Sequence, residues 1–285
     1  MLFDKFFQRK RTPMKEQTTV PYWAATDVGT VRKTNQDNLY LMQNVQSYQK
    51  LRQYRVNGRQ ELPLLFAICD GMGGGEDGEK ASELVAQQLA ELDVRYLQTL
   101  SDEAFERELT EKLQQINNAV FSGLSNCGAL VGCTTTILYV DRQRIFFVNI
   151  GDSPGFVLSQ GRLQAVTQAD NRANQMYLMG KITESERWTH KTKNQLTQYL
   201  GMDPEELLVS PHFFRMNHPD VTTTYLIGSD GLIDKCDFSN IARLLGQDET
   251  HQLAYELVEE AKCAGSRDNV TAIVVRVEGN KNDIG

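Results

Sequence analysis

A chain of 285 residues, 40% apolar and 24% charged, is long enough to bury a sizeable core and is composed like an ordinary globular protein, which excludes disordered, collagen-like and disulfide-scaffold classes. Its 37 acidic residues outnumber 30 basic ones, a formal charge of −7 that argues against a nucleic-acid-binding face and fits carboxylates gathered to hold cations. No run approaches the ~18 apolar residues of a membrane span. The start of the chain lacks the apolar stretch of a secretory signal. Leu2, Phe3, Phe6 and Phe7 beside Lys5, Arg9, Lys10 and Arg11 read as a flexible basic tail over 1–18, with contact to a membrane surface or partner as the alternative. Cys69, Cys127, Cys133, Cys236 and Cys263 are odd in number and scattered, as expected for core thiols in a reducing compartment. Neither they nor the four histidines show zinc-ligand spacing.

In chain order, residues 22–28 predict a short strand and 38–45 a half-buried one, with Leu39, Leu41 and Val45 on alternate positions. Asn57-Gly58 is a hairpin-turn signal. Residues 62–69 form a nearly continuous apolar run, a buried strand that breaks into D-G-M-G-G-G. Residues 80–97 predict a helix whose face carries Leu84, Val85, Leu89 and Leu92. Ser101 caps a second helix, in which Phe105, Leu109, Leu113, Ile116 and Val120 recur at three- and four-residue steps up to Gly123. Strands follow at 134–140, 144–149, 155–158 and 163–166, with Gln160-Gly161 turning between the last two. The stretch 170–197 is polar and helix-like, a candidate mobile flap with few apolar anchors. Strands at 208–214 and 223–227, a helix over 249–262 and a strand over 270–277 complete one domain spanning 19–279, ahead of a short tail at 280–285. Strand runs interleaved with helix pairs point to layered α/β packing, two sheets with helices outside.

Acids recur where predicted strands meet loops. Asp70 follows F-A-I-C, Asp152 follows F-F-V-N-I-G, Asp230 follows Y-L-I-G-S, Asp268 precedes the last strand and Asp37 precedes the second. One Asp-Gly after a strand is usually only a turn; five strand-edge acids beside glycine-rich loops point to a common target. Converging carboxylates repel unless cations neutralise them, and an all-oxygen set without Cys or His favours magnesium or manganese. Two such ions sharing a water would supply hydroxide near neutral pH, chemistry suited to phosphate esters. Gly71 and Gly73 to Gly75 permit close backbone approach to an ion. No phosphate-cradling G-x-x-x-x-G-K-[ST] is present, and no dinucleotide-binding glycine motif heads a helix.

Taken in order, T-D-V-G-T-V-R-K-T-N-Q-D (26–37), D-G-M-G-G (70–74), G-E-K-A-S (78–82), G-C-T-T-T (132–136), N-I-G-D-S (149–153), M-G-K-I-T-E-S-E (179–186), L-T-Q-Y-L-G (196–201), S-D-G-L (229–232) and R-D-N-V-T (267–271) resemble the metal-dependent protein phosphatases of type 2C in their bacterial form. The resemblance implies a four-layer αββα sandwich of two antiparallel sheets flanked by helix pairs, and a protein serine/threonine phosphatase whose nucleophile is a hydroxide bridging two Mg2+ or Mn2+ ions. It implies that Asp70 bridges both ions, Gly71 ligates one through its carbonyl, Asp230 and Asp268 hold the other, and Asp37 acts mostly through metal-bound water. Asp152 would help bind a weaker third ion, and Arg32 would grip the substrate phosphate, for which a planar guanidinium is well suited. Phosphorylated proteins and a cognate serine/threonine kinase system would be the partners of a monomeric, cytoplasmic enzyme.

Met72 stands where some eukaryotic relatives carry a histidine proposed as general acid. The pattern also breaks at Pro154, at Ala169 and at Gln198, where the family usually has Arg in G-D-S-R, Asp in T-x-D-H and Arg in T-R-A-L-G. These breaks motivate a rival reading, a phosphoprotein-binding relative without turnover. A second rival is a metallohydrolase acting on a small-molecule phosphate.

Overall fold

The computed structural model describes residues 19–41, 52–74, 76–124, 130–247 and 252–279; the expected tails 1–18 and 280–285, together with Gly75 and Cys127, lie outside the described residues. Six strands, β1 (Thr19–Asp27), β3 (Gln53–Glu61), β7 (Gly155–Ser159), β8 (Arg162–Ala165), β10 (Thr223–Gly228) and β11 (Val270–Val277), form one antiparallel sheet in the order β3-β1-β11-β10-β7-β8. Five others, β2 (Asp37–Leu41), β4 (Leu64–Met72), β5 (Gly132–Val140), β6 (Arg144–Ile150) and β9 (His212–Asn217), form a second in the order β2-β4-β5-β6-β9. Helices α1 (Asp77–Leu89), α2 (Val94–Thr99) and α3 (Asp102–Leu124) cover the five-stranded sheet. Helices α6 (Asp230–Ile233), α7 (Phe238–Leu245) and α8 (Leu253–Cys263) cover the six-stranded one. This is the expected sandwich with helices outside.

Three apolar layers hold the stack. Between the sheets, Leu39, Phe66, Ile68 and Phe147 meet Tyr225, Ile227, Ile273 and Val275. Beneath α1 and α3, Val85, Leu109 and Leu113 meet Ile137 and Tyr139, and Phe105 stacks on Phe146 at 4.4 Å between ring centroids. On the far side, Trp23, Leu226 and Val274 meet Leu244, Leu257 and Val258. Each such side chain contributes about 1.5–3 kcal/mol by leaving water.

Most predicted elements stand where periodicity places them, and the exceptions have physical causes. Asn57-Gly58 is no turn: both residues sit inside β3, and Gly58 lies opposite Tyr22, whose ring would stand 3.0 Å from a Cβ at that position. The glycine makes room for an aromatic ring across the strand. The strand at 38–41 is buried on both faces, because Tyr40 packs under α1 while Leu39 and Leu41 face the other sheet; 42–45 lies outside the described residues. The predicted helix 80–97 is two helices, since Asp93 accepts from Arg95 N and Tyr96 N at 3.0 Å and caps a new start. The strand expected at 208–214 begins only at His212, after Pro211, which has no N–H, and Ser210, whose N–H donates to Gln198 Oε1. Helix α7 was not assigned from the sequence, although Asp237 caps it and Ile241, Leu244 and Leu245 bury one face.

The polar stretch 170–197 contains α4 (Arg172–Leu178) and α5 (Glu184–Thr189), and it is better anchored than its composition suggests. Ala173 is fully buried, and Trp188 packs edge-on against Phe238 at 5.1 Å. Arg172 N donates to Gln195 O and Thr197 N to Asp170 O, so the stretch closes on itself at its base. Among the described residues no helix is long and apolar enough to cross a membrane.

Candidate metal centre

Sheet register brings the strand-end acids to one end of the sandwich. Asp37 opens β2 directly opposite Asp70 near the end of β4, and Asp70 in turn lies opposite Thr134 at the start of β5. In the other sheet, β10 ends at Gly228 opposite Ala272, which places Asp230 and Asp268 at the same end as the start of β11. Asp152 follows β6, whose last residue, Ile150, pairs with Thr135.

Side chains from both sheets interlock there. Asn269 donates through Nδ2 to Val28 O and Thr34 O and accepts from Gln36 N, which shapes the loop carrying Arg32. Thr271 Oγ1 donates to Asp37 Oδ2 at 2.6 Å. Its hydrogen being so committed, Thr26 donates to Thr271 at 2.7 Å, and Asn35 Nδ2 donates to Thr26. This chain of polarised hydrogen bonds orients Asp37 from below. Asn269 and Thr271 lie within R-D-N-V-T, where the sequence alone assigns them no role. Their placement one and three residues after Asp268 was the available signal.

The electrostatics record the convergence. Burial, then repulsion from Asp37, Asp230, Asp268 and Asp152, drives the Asp70 carboxyl well above the ordinary aspartate range. Burial raises Asp37 to about 7 against the help of the Thr271 and Ser229 hydroxyls. Burial and the charge of Asp230 raise Asp152 to about 8. Burial and Asp268 raise Asp230 to about 6, while a hydrogen bond shared with Asp70 works the other way. Asp268 is differently placed: its two oxygens accept from Arg32 Nε at 2.8 Å and Nη2 at 2.7 Å, a bidentate pair at the exposed rim.

A backbone cradle adjoins Asp70. A Cβ on Gly71 would lie 2.0 Å from Gly78 O and 2.8 Å from Gln36 O, so only glycine fits among these carbonyls. Among the described residues, no group of three or more His, Cys, Asp or Glu side chains is placed to hold a metal ion as it stands. The donor set nonetheless fits hard divalent cations: oxygen throughout, one buried and three half-buried carboxylates with raised pKa values, and a backbone cradle beside them.

Asp152 is held from the other flank. Gly151 (φ 98°) packs its backbone on Thr134, where a Cβ would meet the threonine side chain at 2.5 Å. Gly151 N donates to Asp170 Oδ2 at 2.9 Å, and Asp170 also pairs with His212 Nε2 at 2.7 Å and accepts from Gln198 Nε2 at 2.8 Å. Two of the three pattern breaks belong to this knot. Gln198 bridges Asp170 and Ser210 with a neutral amide, and Asp170 supplies a carboxylate next to the non-acidic Ala169. Pro154 contributes its carbonyl to Gly228 N, a role its ring leaves intact.

Comparison with known proteins places this geometry among phosphatases. The sequence profile described as Protein phosphatase 2C matches residues 53–252. The chain is 31% identical over 266 residues to the serine/threonine protein phosphatase PstP of Mycobacterium tuberculosis, covering 90% of this chain and 45% of that protein. It therefore spans less than half the length of that relative. It is 24% identical to the serine/threonine phosphatase stp of Listeria monocytogenes, over 88% of this chain and 93% of that protein. Among solved structures, Stp1 from Staphylococcus aureus superposes with a TM-score of 0.74 at 26% identity, covering 95% of this chain and all of that one. The catalytic domain of PstP in complex with two manganese ions superposes with a TM-score of 0.70 at 29% identity, covering 92% of this chain and 100% of that one.

Proposed function

The chain belongs to the protein phosphatase 2C family, and from that premise we propose that residues 19–279 form a metal-dependent phosphatase domain that hydrolyses phosphoserine and phosphothreonine in proteins. The observation that carries the proposal is the cluster of buried and half-buried, mutually repelling carboxylates with an arginine fork at its rim. Asp70, the Gly71 carbonyl, Asp230 and Asp268 would hold two Mn2+ or Mg2+ ions, with Asp37 behind them and Asp152 at a weaker third position. Bound there, divalent cations supply an activated water and neutralise charge on the phosphate.

The chain's own residues do the rest. Thr271 and Ser229 keep Asp37 oriented through their hydroxyls. Neutralising Asp268 would free the Arg32 guanidinium to grip two phosphate oxygens and stabilise charge on them during transfer. Met72 offers no proton, so no side chain at that position assists the leaving group. A phosphoprotein substrate, an opposing kinase and a cytoplasmic setting follow from this reading. Hydrolysis of a phosphothreonine peptide with manganese, abolished by a chelator and restored by added metal, tests it; full activity of metal-stripped protein would contradict it.

A further inference from the structure

A small open cleft borders the acidic centre, lined by Asp152 and Asp230 together with Asn174, Arg187, Trp188 and Lys193 from the 170–197 segment. Arg187 is unlike the neighbouring cations. Lys193 already holds Asp234 at 2.6 Å, and Arg32 already holds Asp268. The Arg187 side chain is only 12% exposed, its nearest carboxylate is Glu184 at 3.6 Å, and that carboxylate is itself 68% exposed. Its guanidinium lies over the Trp188 ring at 4.5 Å and the Tyr177 ring at 4.9 Å, and it donates to Asn174 Oδ1 at 2.8 Å. Its buried Nε makes no hydrogen bond. The cation is thus fixed in orientation and paired only with a distant, exposed carboxylate, a state in which a guanidinium binds a further carboxylate or phosphate with little loss of freedom.

We propose that this cleft is a second subsite, resting on the phosphatase reading, in which Arg187 receives an acidic side chain flanking the phosphorylated residue of the substrate. With Asp152 and Asp230 engaged by cations, the remaining charge facing the cleft is basic. Arg32 at one rim would then hold the phosphate under attack, while Arg187 reads a carboxylate or second phosphate carried on the same peptide. Burial depresses the Arg187 pKa, and an anionic partner would offset that cost. Substrate choice among phosphoproteins follows: acidic flanks are preferred, basic flanks disfavoured.

The test uses the full chain with manganese and three phosphothreonine peptides differing only in a flanking Glu, Ala or Lys, with p-nitrophenyl phosphate as a substrate lacking any flank. Wild type should favour the Glu peptide over the Ala peptide by about tenfold in kcat/KM, the worth of one charge-assisted pair. Arg187→Gln should abolish that preference, Arg187→Lys should keep part of it, and Arg187→Glu should turn it toward the Lys peptide. Equal rates of wild type on all three peptides would overturn the inference while leaving the phosphatase reading intact. So would a loss in Arg187→Gln equal on every peptide and on p-nitrophenyl phosphate, which marks a structural role. Weakened inhibition by inorganic phosphate in Arg187→Gln, without any change in peptide preference, would assign the cleft to a free anion and overturn it too. Should Arg187→Gln fail to fold, Arg187→Lys and the wild-type series decide. Absence of turnover of every ester by wild type overturns the phosphatase reading and this inference with it.

Discussion

The two flanks of the acidic centre are built differently. On the Asp37–Asp70 flank, sheet register sets the geometry: the two acids face each other across β2 and β4, and a short hydroxyl chain from β1 and β11 orients one of them. On the Asp152 flank, position depends on a knot of side chains far apart in sequence, Asp170 with Gln198 and His212, closing on a glycine turn. The first flank is rigid by topology and the second by tertiary hydrogen bonds, which fail singly and at lower cost. The expectation is that the first flank tolerates no change and the second tolerates graded change.

The largest effects belong to the acids proposed to hold the two tighter ions, Asp70 on the first flank and Asp230 between the two. Asp70→Ala and Asp230→Ala should each reduce manganese-dependent turnover by at least ~100-fold, because each removes a carboxylate proposed to hold metal. Steady-state rates on a phosphopeptide check this, and comparable losses from changes in the Asp170 knot would erase the contrast between the flanks.

The next effect is in stability. Asp37, Asp152 and Asp230 titrate at about 7, 8 and 6 in the folded chain, against about 4 when unfolded. Between those limits the folded state binds more protons, so the contribution is present below about pH 4 and lost as pH rises to about 8. Metal-free protein should therefore become less stable from pH 5 to pH 8 by on the order of a few kcal/mol, and manganese at pH 8 should restore it. Urea denaturation at the two pH values reads this out; a metal-free chain more stable at pH 8 would show that burial and repulsion do not hold these carboxyls protonated.

Much of this frame was legible in the sequence, for physical reasons. Burial periodicity marked α3 and β11 closely, and the recurring acid at a strand end marked all five carboxylates. Local signals misled where a distant residue overrode them: Asn57-Gly58 reads as a turn only until Tyr22 lies across from it. The 170–197 stretch looked short of anchors because those anchors, Phe238 against Trp188 and His212 against Asp170, are 50 and 42 residues away. Such pairings leave no periodic trace.

Thr271→Val tests the hydroxyl chain. It keeps shape and removes the donor to Asp37, and it should lower manganese affinity or turnover by about tenfold, the usual cost of losing a partner that orients a ligand. Unchanged affinity and rate would reduce the chain to packing. The smallest effect is expected at Gln198→Ala, which removes two donated bonds and one accepted one from the knot. It should cost about 1–3 kcal/mol of stability while leaving most turnover in place, as thermal denaturation and a phosphopeptide assay would show.

The central claim is that the converging acids form a multi-cation centre with unequal sites. Calorimetric titration of metal-free protein with manganese tests it most directly. Two tighter sites and a weaker third are expected, with Asp152→Ala losing the weak site alone. Fewer than two sites in the wild-type chain, or loss of the tight sites in Asp152→Ala, would contradict it.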